Sequence, residues 1–124
     1  MDAHQETDRR IAEMVRACYW DRDIYCARTT LYCMSRLFDL PLDPQLDRAA
    51  IGLNGAGRMG CQCGLLEGAL LFLGIHASFL GKTEKEVCAV CGRYTAAFQK
   101  HFGGIDCRVL RPGGLYYYVV PGAR

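Results

Sequence analysis

Apolar side chains recur along this chain mostly at steps of three and four residues, the spacing of one face of an α-helix. The predicted helices run from about Gln5 to Tyr19, from a cap at Asp21 or Asp23 to Phe38, from Pro44 to Ile51, from Gln62 to Leu80 and from Thr83 to His101 or Phe102. The fourth is apolar on all sides, so we expect it at the centre of the core. The pattern therefore predicts a mainly all-α fold, a compact bundle of about five helices in one domain over residues 1–124.

Capping residues mark several of these boundaries. Asp43 and Pro44 suit the N-cap and first position of the third helix. Thr83 and Glu86 have the spacing of a capping box, and Gly103 suits the end of the fifth helix. Glycines within the fourth helix lower its propensity, which is typical of a site where a neighbouring helix or a bound group approaches closely.

The end of the chain changes the pattern. Leu115 to Val120 is aromatic and β-branched, which predicts a short β-like tail at the C-terminus. The predicted fold is thus five helices, with a glycine-rich loop before the fourth, followed by this tail. Because a lone strand needs a partner, this tail would pair within the chain or with a second copy. The second arrangement would give a homodimer through the C-terminal tail.

Charge and hydropathy narrow the class of protein. A formal net charge of +2 does not indicate nucleic acid or an acidic membrane as partner. The longest apolar run, Gly68 to Ile75, is too short to span a bilayer. Met1 to Arg10 is polar, with no secretion signal behind it. We therefore expect a cytoplasmic protein without membrane insertion.

Cysteine is the unusual component, with eight in 124 residues. They are Cys18, Cys26, Cys33, Cys61, Cys63, Cys88, Cys91 and Cys107. In a reducing compartment, clustered cysteines typically bind metal or exchange electrons. Others serve as small core side chains, because free cysteine is among the most buried residue types.

The pair Cys61 and Cys63 lies at the predicted start of the fourth helix, after a glycine-rich loop. Free amide groups and the helix dipole at such a position favour a thiolate, which attacks disulfides or binds metal. Gly57, Gly60 and Gly64 would let the backbone approach a centre held by the cysteines. The alternative is that both cysteines are buried core residues.

A second pair, Cys88 and Cys91, has C-x-x-C spacing inside the fifth helix. Together with the C-x-C pair it supplies four sulfurs, enough for a zinc site or an iron–sulfur cluster. No histidine follows Cys91, so covalent haem is not predicted. Core filling is the alternative for this pair.

Gly55 to Gly60 also fits the G-x-G-x-x-G pattern of dinucleotide-binding folds. That motif requires a strand before it, a helix after it and a second strand that ends in an acidic residue. Helical periodicity leaves no place for that second strand. We therefore predict no NAD, and the plainer alternative is a flexible connection between helices.

The segment Gly57 to Gly74 resembles the signature of the C_GCAxxG_C_C family, for which a redox role is proposed. Cys63-Gly64 and Gly68 fit the core motif C-G-A-x-x-G, with Leu65 at the alanine position. The resemblance extends over about residues 22 to 110. The family is also similar to a domain of split-Soret cytochromes, whose haem-attachment motif this chain lacks.

Cys26 matches the earlier cysteine of that family and Cys107 the later one. The resemblance implies an α-helical fold and cysteines that hold a metal or cluster, with Cys26, Cys63 and Cys107 as the central catalytic trio. The family carries a further cysteine nearer the C-terminus, whereas this chain has none after Cys107. Cys61, Cys88 or Cys91 would have to replace it.

Three hypotheses follow. The first is a redox protein with an unknown redox partner. In one form of it an iron–sulfur cluster, or zinc as the alternative, is bound by six cysteines: Cys26, Cys61, Cys63, Cys88, Cys91 and Cys107. In the other form, Cys63 exchanges disulfides with a resolving thiol. The second is a non-catalytic helical interaction module with core cysteines. The third is an enzyme with a cysteine nucleophile and His76 or His101 as base. Glu67 is a proton carrier or faces solvent.

Overall fold

The computed structural model describes residues 2–111, in which helices account for most of the chain. The helices are α1 (Ala3–Arg16), α2 (Cys26–Leu37), α3 (Pro44–Ala49), α4 (Gly64–Phe79), α5 (Glu84–Phe102) and α6 (Cys107–Leu110). A π-helical turn, Ala17–Asp21, follows α1, and a 3-10 turn, Ala50–Gly52, follows α3. Extended pairing within residues 2–111 consists of one antiparallel bridge, between Gln62 and Asp106. The all-α prediction is confirmed.

Helix α4 is the centre of the bundle, since it contacts both α2 and α5. Its contact with α2 is made through glycine. A Cβ atom at Gly68 would overlap the carbonyl oxygen of Ala27 and lie 3.0 Å from Cβ of Thr30. Gly74, one and a half turns further along, has nothing within 4 Å of the corresponding position. Close approach of a helix therefore explains Gly68 but not Gly74.

The core lies on both sides of α4. Leu31 of α2 and Phe72 of α4 are buried together on one side. Leu66 of α4 and Phe98 of α5 are buried together on the other side. Burying side chains of this size contributes roughly 1.5–3 kcal/mol each relative to exposure. These two clusters hold α2 and α5 against the helix that carries the Cys63-Gly64 motif.

The helix starts agree with the predicted caps except at α2. Asp43 accepts a hydrogen bond from the amide of Gln45 at 2.8 Å, and the Thr83 capping box is present. Helix α2 instead begins after Tyr25, so the predicted Asp21 or Asp23 cap was wrong. The chain continues as a π turn through Asp21, and Asp23 has a φ of 56°, whereas an N-cap needs extended backbone.

No helix within residues 2–111 combines the length and the apolar character needed to cross a bilayer. The predicted tail strand, Leu115 to Val120, and the dimer contact expected of it lie outside the described residues.

Candidate functional site

The glycine-rich segment before α4 folds into a turn of reversed hand. Gly55, Ala56, Gly57 and Arg58 have φ values of 71°, 55°, 70° and 68°. The amide of Arg58 donates to the carbonyl of Asn54 at 2.9 Å, so the segment closes as one turn of left-handed helix. Each non-glycine residue in that conformation costs roughly 1–2 kcal/mol. The connection considered from the sequence thus has a defined conformation, and we call Gly55–Arg58 the left-handed turn.

A buried carboxylate supports this turn. Glu67, in the first turn of α4, is 8 % exposed and accepts a hydrogen bond from the amide of Ala56 at 3.3 Å. Burial raises the pKa of Glu67, and the amides of Ala56 and Gly55 oppose that rise. The alternative in which Glu67 faces solvent is therefore wrong. Its carboxylate satisfies backbone donors that the reversed turn would otherwise leave unpaired.

Cys26 enters the site from the first residue of α2. Its thiol donates to Oδ1 of Asn54 at 3.3 Å, and the same oxygen accepts from the amide of Ala27 at 3.2 Å. Asn54 is itself fixed by donating to the carbonyl of Ile51 at 2.7 Å. The Cys26 sulfur lies so close to Gly64 that a Cβ atom there would overlap it. Gly64 therefore admits Cys26 beside the backbone that follows Cys63.

Cys63 and Cys107 are brought together by the antiparallel bridge. Gln62 pairs with Asp106, and the amides of Cys63 and Cys107 both donate across the bridge at 2.6 Å, the second to the carbonyl of Cys61. Cys61 and Cys63 are alternate residues of one extended segment, and Cys107 lies opposite Cys61 across the bridge. Cys63 is 7 % exposed and Cys107 is 4 % exposed.

Burial decides the protonation of these thiols. It raises the pKa of Cys26, and the neighbouring Cys63 and Cys107 thiols raise it further. Burial also raises the pKa of Cys63, although the amides of Leu65 and Leu66 favour its thiolate. The expected thiolate stabilisation at this helix start is present but is outweighed by desolvation. The three predicted central cysteines lie within electrostatic reach of one another.

Cys61 and Cys26 are partly exposed, whereas Cys63 and Cys107 are buried. The Nη2 atom of Arg108 lies 3.3 Å from the sulfur of Cys61. The same arginine donates from its backbone amide and from Nε to the carbonyl of Gly60, at 3.0 and 3.1 Å. The guanidinium is thus anchored beside the sulfur by the backbone of the glycine-rich segment.

Tyr19, Asn54 and Arg108 also belong to the site and were not predicted from the sequence. Tyr19 lies in the π turn. Burial is the larger cause that raises the pKa of its hydroxyl, and the neighbouring Cys26 thiol is the second. No local motif marks these residues, since their partners lie far away along the chain. Arg108 next to Cys107 was the one available indication, because cysteines that react often have a basic neighbour.

The remaining cysteines form two other pairs. Cys88 is exposed on α5, and Cys91 has its pKa raised by burial and by Cys88. Cys33 has its pKa raised to about 11 by burial and by Cys18. Among residues 2–111, no three histidine, cysteine, aspartate or glutamate side chains are grouped closely enough to hold a metal ion.

The two histidines considered as bases have aromatic surroundings. The ring of His76 stacks on Phe72, with centroids 5.2 Å apart. It follows Cys63 by thirteen residues, so it lies roughly 20 Å further along α4. His101 is exposed in the last turn of α5, with its ring against the edge of Phe102. His76 is therefore not available as a base for Cys63.

Gly57 and Gly60 were predicted to line the approach to a centre. Gly60 is buried, and its carbonyl receives Arg108, so it belongs to the site. Gly57 is exposed, and nothing lies within 4 Å of the position of a Cβ atom there. Its part in the site is the positive φ that the left-handed turn requires.

One comparison with known proteins gave a match, to a protein family. Residues 24–119 match a family model described as "Putative redox-active protein (C_GCAxxG_C_C)". Searches of curated proteins and of solved structures gave no match. The matched range contains Cys26, Cys63 and Cys107 together with the left-handed turn.

Proposed function

Since the chain belongs to the C_GCAxxG_C_C family, we propose that it is a thiol redox protein that cycles between a dithiol and a disulfide beside the left-handed turn. The observation that carries the proposal is the convergence of Cys26, Cys63 and Cys107 from three separate segments. Cysteines used only as core filler have no reason to meet at a turn with strained backbone. Strain of this kind is typical of functional sites.

The surroundings suit thiol–disulfide exchange. Burial keeps Cys26 and Cys63 protonated at neutral pH, so the reduced site holds several thiols without mutual charge repulsion. Oxidation joins two sulfurs and passes two electrons and two protons to an acceptor disulfide. In a reducing compartment such as the cytosol, low-molecular-weight thiols would regenerate the dithiol.

A redox titration of the full chain tests this function. The protein is equilibrated in glutathione buffers of graded potential, alkylated, and analysed by mass spectrometry for the number and position of free thiols. We expect one two-electron couple among the cysteines of the site. It should persist in the Cys88→Ser variant, a control for an exposed thiol on α5, and disappear when Cys63→Ser and Cys107→Ser are combined.

The mapped positions of oxidation also show which results would contradict the proposed function. If oxidation maps only to the Cys88–Cys91 or Cys18–Cys33 pair, or if no two-electron couple appears, the proposed function is wrong. Mapping the oxidised cysteines of the unaltered chain gives this answer independently of whether the double variant folds. Far-UV circular dichroism checks the folding of that variant.

A soft-metal centre at the same cysteines is the second candidate. The observation in its favour is that Cys26, Cys63 and Cys107 come from three segments and influence one another electrostatically. Thiolates select zinc and iron–sulfur clusters. Since no three donors within the described chain are grouped at metal-binding distance, loading would require side-chain movement. Anaerobic titration with zinc, or with iron and sulfide, followed by elemental analysis, tests it. Equal metal content in the unaltered chain and the double variant would contradict it.

A further inference from the structure

Cys61 and Cys107 face each other across the bridge between Gln62 and Asp106. In an antiparallel pair, the residues flanking a bridged pair are themselves opposite, and the hydrogen bond from the Cys107 amide to the Cys61 carbonyl confirms this register. The amide of Cys61 donates to the carbonyl of Gly55, so Cys61 and Cys107 share this one hydrogen bond. Opposed Cα atoms in an antiparallel pair are about 4.5–5.5 Å apart. A disulfide spans Cα separations of roughly 4.4–6.8 Å, so this pair can be bridged.

The same geometry disfavours the neighbouring pair within the C-x-C motif. Cys61 and Cys63 are two positions apart on extended backbone, which separates their Cα atoms by about 6.6 Å. That separation is near the upper limit for a disulfide. Across the bridge, Cys107 is therefore the better partner for Cys61.

Access separates the two members of the opposed pair. Cys61 is partly exposed, whereas Cys107 is 4 % exposed and packs beside the left-handed turn, with its Cβ 3.5 Å from where a Cβ of Gly55 would lie. An external disulfide can therefore reach Cys61 but not Cys107. Cys63 is buried like Cys107. Cys26 is partly exposed, but its thiol donates to Oδ1 of Asn54 and its sulfur lies against the backbone at Gly64.

Arg108 adds charge complementarity at the exposed sulfur. Its guanidinium is held by the Gly60 carbonyl, with Nη2 3.3 Å from the Cys61 sulfur. Negative charge is shared along the sulfur atoms during thiol–disulfide exchange. A cation fixed beside Cys61 before the reaction begins can hydrogen-bond to that charge without reorganising.

We propose that Cys61 is the entry thiol for exchange with an external disulfide, that Cys107 is the resolving thiol, and that Arg108 is a positioning residue for Cys61. This inference rests on the proposed function and identifies the reacting pair within it. The Cys61 thiolate attacks one sulfur of the acceptor disulfide, whose S–S bond breaks and whose other sulfur leaves as a thiolate. A mixed disulfide between Cys61 and the acceptor results.

The second exchange completes the cycle. The Cys107 thiol loses its proton to the departed thiolate and attacks the Cys61 sulfur, which releases the second acceptor thiolate. The chain then carries a Cys61–Cys107 disulfide, and the acceptor has been reduced to two thiols. Two electrons pass from the chain to the acceptor, and no further oxidant is needed.

Trapping with glutathione disulfide tests the assignment. Cys107→Ser removes the resolving thiol, so we expect the mixed disulfide to accumulate and peptide mapping to place glutathione on Cys61. The unaltered chain should instead yield the Cys61–Cys107 disulfide, and Cys61→Ser should lose that product. Cys88→Ser, which removes an exposed thiol from α5, is the matched control and should leave the product unchanged.

A second measurement does not depend on a substitution at a buried position. Limited iodoacetamide added to the unaltered, reduced chain should modify Cys61 before Cys26, Cys63 or Cys107. Arg108→Gln should slow this reaction about two- to fivefold, as expected for one exposed charge, and Arg108→Lys, which keeps the charge, should restore most of the rate. A purely structural role of Arg108 would not give that rescue by a charged side chain.

The outcomes separate the two proposals. A site disulfide that maps to Cys63–Cys107 or Cys26–Cys63, or alkylation at Cys26, Cys63 or Cys107 before Cys61, overturns the assignment of Cys61 while leaving the redox function intact. Absence of any disulfide among the four cysteines at the site overturns both.

Discussion

Alanine at Gly68 would test the helix contact that positions Cys26. Gly68 faces the first turn of α2, where an added Cβ would overlap the carbonyl oxygen of Ala27 and lie 3.0 Å from Cβ of Thr30. A carbonyl oxygen belongs to the backbone and cannot rotate away as a side chain can. The methyl group can therefore be accommodated only if α2 moves away from α4.

Two opposing contributions set the size of the effect. Alanine is favoured over glycine inside a helix by about 1 kcal/mol. Overpacking of a well-packed contact costs roughly 1–3 kcal/mol. Gly68→Ala should therefore change the free energy of unfolding by between about zero and a loss of 2 kcal/mol. Gly74→Ala, on the same helix with open space around it, should gain about 1 kcal/mol.

Urea unfolding of the reduced chain, followed by far-UV circular dichroism, measures both changes. We expect Gly68→Ala to be less stable than Gly74→Ala by about 1–3 kcal/mol, which is the cost of the close approach alone. The change in α2 should also alter the alkylation rate of Cys26. If the two variants are equally stabilised, α2 does not approach α4 through Gly68, and the placement of Cys26 is wrong.

Three further outcomes are expected. Glu67→Ala should destabilise the chain by roughly 1–3 kcal/mol because it leaves amides of the left-handed turn unpaired. Glu67→Gln retains an acceptor and should cost clearly less in the same urea assay, and equal losses would contradict this role. Asp43→Ala should lower the free energy of unfolding by about 1 kcal/mol through loss of the α3 cap, and no change would show that the cap is energetically silent. The folded chain retains protons on Cys26 and Cys63 that the unfolded chain releases above about pH 8.5, so the free energy of unfolding should fall as pH rises past that value. The urea midpoint, measured up to about pH 10.5, should fall less steeply for Cys63→Ala than for the unaltered chain, and an identical slope would refute the assignment.

Much of the architecture was predictable because it depends on neighbours in sequence. Asp43 and Thr83 cap helices through contacts two or three residues away, so their patterns were sufficient. The start of α2 was not predictable in this way. Asp23 has a capping side chain, but its left-handed backbone conformation follows from the π turn before it. That turn has no capping pattern to mark it.

In the site, too, features marked by local sequence were predictable and features set by distant contacts were not. The resemblance marked Cys26, Cys63 and Cys107, and the structure brings them within electrostatic reach of one another. The glycine-rich segment was recognisable, but the carboxylate that hydrogen-bonds to its reversed turn belongs to Glu67, eleven residues beyond Ala56. The expectation of a stabilised thiolate at Cys63 was wrong in its net effect, since burial cannot be judged from local sequence.

The sequence by itself determined that this chain is helical, rich in cysteine and similar to a redox family, since periodicity, composition and motif spacing are local properties. Only the tertiary structure decided which thiols are buried and which solvent can reach, and that Arg108 lies beside Cys61. These properties depend on contacts between residues more than forty positions apart. Such contacts arise when α4 and the bridge pack together, and no local pattern encodes them.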